Sequence, residues 1–265
     1  MSGVTSETCA HTLQFAGRRI VQGNMALTLT FSGTRGGIDT RTKRHRMHSA
    51  LLISWRRRRI MIDCGADWQN KVVQVNPNAI LITHAHADHA GGLKGVASCP
   101  VYATKDTWSR IRVGLIPGKE VIRPRVPVDL FGIEFEAFPV EHSMRAPAVG
   151  YRITAGHHSV FYMPDVVRIH DQAQALQGLQ LYIGDGASIT RPILRKRDGK
   201  LIGHASIRTQ LEWCREEGVR RAIFSHCGSE IVTGNERIVA DKIRVLGKQA
   251  GVDARIAHDG LRVTL

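Results

Sequence analysis

Residues 82–92 read ITHAHADHAGG, three histidines and an aspartate within six positions, set between the apolar run AILIT and a glycine pair. The run predicts a buried strand ending at Thr83, with the glycines relaxing the backbone just beyond. Ligands at a strand end stand on a rigid scaffold yet open to solvent, as a reactive metal requires. Imidazole nitrogen and carboxylate oxygen suit zinc, manganese or iron, and four such groups in six residues exceed the need of one closed structural site. His84, His86, Asp88 and His89 therefore predict two divalent metal ions sharing a water. Solvated loop histidines placed by chance behind a buried strand would gain nothing for their cost.

The rest of the chain reads as one α/β domain. Ten apolar runs bounded by turn residues predict strands: ALTLTFSG, SALLISW, IMIDCG, AILITH, LFGIEFEAFPV, AVGYRITAG, SVFYM, LQLYIGD, AIFSHC and LRVTL. Between them, Ser206 caps a helix with Ile207, Leu211 and Cys214 on one face, ending near Gly218, and a second helix carries Val239, Ile243 and Leu246 before Gly251. No repeat or Pro-rich linker divides the 265 residues, and 43% hydrophobic content is ample for a core. The domain is expected over 25–265, with residues 1–24 a flexible leader or an overextended start.

Composition narrows the setting. No stretch approaches the roughly 18–20 apolar residues of a membrane helix, and residues 1–24 lack the apolar core of a signal peptide. Five cysteines, odd in number and without CxxC spacing, fit a reducing cytoplasm better than a disulfide framework. The balance of 37 Lys and Arg against 23 Asp and Glu, a net +14, favours polyanionic partners such as nucleic acid or phosphorylated metabolites.

The later ligand-type residues resemble those of the metallo-β-lactamase superfamily of hydrolases, whose signature is the HxHxDH element after a strand, then a distant His, an Asp and another His. His142 in FPVEHSMRAPAVGYRI, Asp165 in SVFYMPD and His226 in AIFSH stand in that order at strand ends. The likeness runs from about Met25 to Leu265 and implies the αβ/βα four-layer sandwich. Carried over residue by residue, it implies one metal on His84, His86, His142 and Asp165, and another on Asp88, His89, His226 and the shared Asp165.

The segment LYIGDGASI, with IGHASIRTQLEWCREEGVRRAIFSHCGSE after it, is similar to ribonuclease Z and to the cyclic phosphodiesterases of phosphonate breakdown. There an acidic residue and a GHxS histidine precede the last ligand, which here are Asp185 and His204. Attack on phosphorus releases an alkoxide, a poor leaving group unless an imidazole near neutrality protonates it. His204 thus reads as general acid, Asp185 as its orienting partner, and Asp88 as both ligand and catalytic group. One departure stands out: ribonuclease Z enzymes carry a long tRNA-gripping arm between the third-motif His and the bridging Asp, and only 23 positions separate His142 from Asp165.

The expectation is a phosphodiesterase acting on nucleic acid or on a small cyclic, nucleotide-like diester; relatives of this branch are often homodimers. The alternative is a thioesterase or lactonase of the glyoxalase II kind on the same metals. In this fold RTKRHRMH (41–48) sits on a loop facing the metals, which makes Arg44, Arg46 and His48 candidates for gripping substrate phosphates. WRRRRI (55–60) reads as a hairpin turn, His258 as a residue approaching the site, and His157, His158 and His170 as surface residues.

Overall fold

The structure is a computed structural model that describes residues 26–265, so the expected leader lies outside the described residues. The N-terminal half forms strands β1 (Thr28–Gly33), β2 (Ala50–Trp55), β3 (Arg58–Ile62), β4 (Ala79–Leu81), β5 (Val101–Ala103) and β6 (Lys119–Val121), with short helices α1 (Val72–Val75), α2 (Ala87–Ala90) and α3 (Lys105–Trp108). There follow β7 (Val128–Asp129), β8 (Glu134–Glu141), β9 (Ala148–Ala155), β10 (His158–Tyr162), β11 (Arg168–Ile169), helix α4 (Gln172–Leu176) and β12 (Leu181–Asp185). A separate hairpin, β13 (Ile193–Arg197) and β14 (Lys200–His204), leads into α5 (Ile207–Glu216). The chain ends with β15 (Arg221–Ser225), α6 (Ser229–Val232), α7 (Glu236–Ala250), β16 (Asp253–Ile256) and β17 (Arg262–Thr264).

Side chains alternate across a strand, and here the alternation sorts the apolar residues into layers. Ile60 and Ile62 of β3 and Val160 and Tyr162 of β10 point into one core shared by the two sheets, while Met61 and Phe161 point outward into separate cores. One sheet runs β17-β1-β2-β3-β4-β5-β6; the other runs β11-β8-β9-β10-β12-β15-β16, with β7 beside β8. Trp68, Val72, Ala90 and Leu93 cover the outer face of the first. Ile207, Leu211 and Cys214 of α5 and Val239, Ile243 and Leu246 of α7 cover that of the second. The result is the expected αβ/βα sandwich.

Local chemistry sets the element ends. Ser206 accepts from Thr209 N, and Asn235 from Arg237 N and Ile238 N, so both long helices begin at side-chain caps. Arg56 and Arg57 carry positive φ at the turn joining β2 to β3, as the run WRRRRI predicts. The glycines after the histidine motif act otherwise than expected. Gly91 has an ordinary φ of −63°; a Cβ on it would lie 3.0 Å from Ala66, and one on Gly92 2.7 Å from the Cys64 oxygen. Close packing requires Gly92 and favours Gly91, and neither φ is positive.

Gly65 is tighter still: a Cβ there would fall 2.1 Å from the Asp88 carbonyl oxygen and 2.3 Å from the His48 Cβ. Gly65→Ala should therefore lower stability by about 1–3 kcal/mol, the usual cost of overpacking. The check is the denaturant midpoint; an unchanged midpoint would show that the motif loop yields freely.

Candidate metal centre

The strands feeding the site end together. His84, His86, Asp88 and His89 follow β4, His142 follows β8, Asp165 follows β10, Asp185 closes β12 and His226 follows β15. These are carboxyl ends of neighbouring strands, where open α/β sheets gather their functional groups. The two sheets are stitched beneath them: Tyr151 OH donates to the Ile82 carbonyl at 2.9 Å and Val149 N to the Thr83 carbonyl at 3.1 Å.

Hydrogen bonds behind the rings fix the tautomers. Thr83 Oγ1 donates to Asp63, so it accepts from His84 Nδ1 at 3.1 Å. Asp63 Oδ2 accepts from His89 Nδ1 at 2.8 Å, and the Gly203 carbonyl from His142 Nδ1 at 2.9 Å. Each ring thereby turns a bare Nε2 inward, as outer partners do for metal-ligating histidines. His84 Nε2 stands 3.0 Å and His142 Nε2 3.2 Å from His86 Nδ1. His89 Nε2 is buried without a hydrogen bond, and Asp165 Oδ1 and His226 Nδ1 have only each other within hydrogen-bond distance, 2.7 Å apart.

Converging lone pairs and orphaned buried atoms call for cations. Ligand atoms of His84, His86, His142 and Asp165 lie within 4.8 Å of one another, as do those of Asp88, His89, Asp165 and His226. Asp165 belongs to both sets, and the all-nitrogen and oxygen chemistry fits divalent ions. A third set of equal compactness joins Asp165 and His226 to Asp185 and His204.

The electrostatics divide the cluster: burial lowers His84 and His142, whereas for His89 and His226 burial is outweighed by the surrounding carboxylates, Asp165 foremost, which raise them, so that a proton holds the place a cation would take. Burial, together with the charge of His142, pushes His86 down to about 4, leaving it neutral and able to ligate at pH 7. Burial opposes ionisation of Asp165, but His226, His142 and His89 hold it well below the usual carboxylate range. For His204 burial favours the neutral ring, and the Asp185 carboxylate, bonded to Nδ1 at 2.8 Å, outweighs it and raises the pKa.

A cleft of about 770 Å³ opens over the cluster, lined by Asp88, His142, Asp165, His204 and His226, by Gly36–Ile38, and by Ile193 and Arg195 of the hairpin. Arg44, Arg46 and His48 are not among its lining residues. Arg44 pairs with Glu236 at 3.0 Å beside a different cavity. The main chain of Arg46 is held by Asp259 at 2.8 Å, and the His48 ring pairs with Asp67 at 2.8 Å. His258 bonds its own neighbour, through Nδ1 to the Asp259 carbonyl at 3.0 Å, and likewise does not line the cleft.

Two residues without an assigned role in the sequence reading support the site. Asp63, at a φ of 61°, holds Thr83 and His89; Asp67 gathers Arg35, Arg41 and His48. Both lie in DCGADWQ, whose strand-end DCG was the available signal.

The family model described as Beta-lactamase superfamily domain matches residues 58–227. The chain belongs to the β-lactamase superfamily. Among members with curated sequences it is 32% identical over 141 residues to a ribonuclease Z of Bradyrhizobium diazoefficiens, covering 51% of this chain and 44% of that one. The chain spans less than half the length of the first curated relatives it matches, 44%, 37% and 48%. Among solved superfamily folds, the metallo-beta-lactamase fold protein YhfI of Bacillus subtilis superposes with a TM-score of 0.71 at 17% identity, covering 91% of this chain and 100% of that one. A diphosphatase of the PhnP family gives 0.64 at 18% identity, covering 91% and 98%.

His84→Ala or Asp165→Ala should strip bound metal, while Asp63→Ala, which removes the outer partner of His89 and the tie to Thr83 but no ligand, should weaken it about 10- to 100-fold. Elemental analysis and chelator competition make the measurement. Full metal retention in both ligand variants would contradict the assignment.

Proposed function

We propose that this chain is a two-metal phosphodiesterase whose substrate is a nucleic acid or a compact nucleotide-like diester. His84, His86, His142 and Asp165 would hold one divalent ion, zinc or manganese with iron also accommodated, and Asp88, His89, His226 and the shared Asp165 the other. When bound, such ions supply Lewis-acid stabilisation of charge on phosphoryl oxygens and an activated water as nucleophile.

The observation that carries the reading is the bond between His204 and Asp185. Asp185 is fully buried and is itself fixed: its Oδ2 accepts from Val166 N at 3.1 Å and its Oδ1 from Ala187 N at 2.8 Å. It anchors the imidazole through Nδ1, leaving Nε2 as the ring nitrogen that carries the transferable proton. The His204 side chain keeps 20% exposure at the cleft, whereas those of His84 and His89 are closed off. Since Asp185 already engages Nδ1, His204 is read as a proton donor beside the metals. A histidine so held serves a reaction whose leaving oxygen must be protonated, as in phosphodiester cleavage. The ribonuclease Z relatives and the PhnP-family diphosphatase act at phosphorus by their names, which supports the same class.

The test is leaving-group dependence. His204→Ala should cut turnover of an alkyl or nucleoside diester by about 10²- to 10⁴-fold, the usual contribution of a general acid. It should slow bis-p-nitrophenyl phosphate far less, because nitrophenolate departs without a proton. Equal losses on the two substrates would remove the general-acid role.

A further inference from the structure

The β13–β14 hairpin belongs to neither sheet, and every residue of β13 is exposed. Its sequence ILRKRDGKLIGH holds four cations against one carboxylate, and Asp198 and Gly199 at the turn have φ of 48° and 77°, the form that tight hairpins require. The register pairs Ile193 with His204, Arg195 with Ile202 and Arg197 with Lys200. Alternation puts those three pairs on one face. That face is the cleft side, since Ile193, Arg195 and His204 all line the cleft.

Cations therefore follow the hairpin away from the metal cluster in steps of two strand residues, about 6.6 Å each: first Arg195 on the cleft, then Arg197 beside Lys200 at the tip, where they border the adjoining hollows. Among the described residues, Arg195 is the one Lys or Arg lining the cleft; no carboxylate pairs with it or with Lys200, and Arg197 has only the exposed Asp198 at 3.9 Å. Glu230, on the cleft wall, is engaged by Lys242 at 2.8 Å and by Ile189 N at 3.1 Å. The base of the hairpin is fastened to the site: Gly203 N donates to the His142 carbonyl and His142 Nδ1 donates to the Gly203 carbonyl, both at 2.9 Å. Gly203 has a φ of 124°, and a Cβ there would fall 1.9 Å from the Ile193 oxygen, so only glycine permits this junction.

We propose that the hairpin is a rail for single-stranded nucleic acid, its cations contacting successive phosphates on one side of the phosphate held beneath His204. This rests on the phosphodiesterase reading and names its substrate class. A small cyclic diester carries one phosphate and would not reach the hairpin tip, leaving Lys200 without an anionic partner and Arg197 with only the exposed Asp198. Ile193, 46% exposed beside the cleft, and Ile202 add apolar surface on the same face for the bases.

The test uses the full-length, metal-loaded protein with oligothymidylates of two, four and eight nucleotides and with bis-p-nitrophenyl phosphate. In the wild type, kcat/KM should rise at least tenfold from dimer to octamer. In the double variant Arg197→Gln, Lys200→Gln most of that rise should vanish through KM, and exchanging the two charges (Arg197→Lys, Lys200→Arg) should restore it. By anisotropy, binding of a labelled phosphorothioate octamer should lose about 0.7–1.4 from its log–log salt slope, at roughly 0.7 per phosphate contact on a single strand. Length dependence absent in the wild type, or unaltered in the double variant, would overturn the rail. Failure of the phosphodiesterase reading shows separately, as no chelator-sensitive hydrolysis of bis-p-nitrophenyl phosphate, and the anisotropy arm still decides the rail.

Discussion

Everything about this molecule depends on outward hydrogen bonds that leave ring nitrogens bare at its centre. His84, His89 and His142 each spend Nδ1 on an oxygen behind them, from Thr83, Asp63 and Gly203, and bring Nε2 towards the Asp165 carboxylate. Seven polar groups packed so closely would be costly without a cation to share their lone pairs. Asp63 is the keystone of the arrangement, because one buried carboxylate holds both the Thr83 backbone and the His89 ring.

The fold exists around that centre as a means of making strand ends coincide. Two sheets share one apolar core, and the outer faces carry their own cores under helices. The loops at the rim are held by a second tier of charge. Arg35, almost fully buried, pairs with Asp67 at 2.5 Å and its backbone bridges His48 and Cys227. Asp259 ties Thr34, Arg46 and Met47. Arg35 and Asp259 thereby shape the Gly36–Gly37 turn, where a Cβ would press within about 3 Å of His226 or Asp88. The basic loop at 41–48 is thus tied into this tier through Glu236, Asp67 and Asp259, and the arginine that lines the cleft is Arg195 of the hairpin.

The sequence was legible where a single local rule governs. All ten strands read from apolar periodicity are present, and Ser206 begins its helix as its capping chemistry dictates. The ligand-type residues at 84–89, 142, 165 and 226 are brought together because each closes a strand. What stayed hidden was non-local or non-periodic. The short strands β5, β6, β7 and β11 offer two or three residues each, and β13 has no buried face for a hydrophobic pattern to mark. Asp63 and Asp67 were invisible as supports because their partners lie 20 or more residues away in several cases, at Thr83, His89 and Arg35. The partners of the loop RTKRHRMH were hidden for the same reason: its charge was plain, but Glu236 and Asp67, which pair with Arg44 and His48, are remote in sequence.

The most direct measurement is a parallel hydrolysis assay of the protein stripped of metal and then reloaded with zinc or manganese. Its substrates are a nucleoside p-nitrophenyl phosphate, a 2′,3′-cyclic nucleotide and a lactoylated thiol. The account predicts turnover of phosphodiesters that disappears with chelator and returns with metal, with the thioester untouched. Metal-dependent turnover of the thioester alone would leave the metal centre standing and contradict phosphorus as the site of attack.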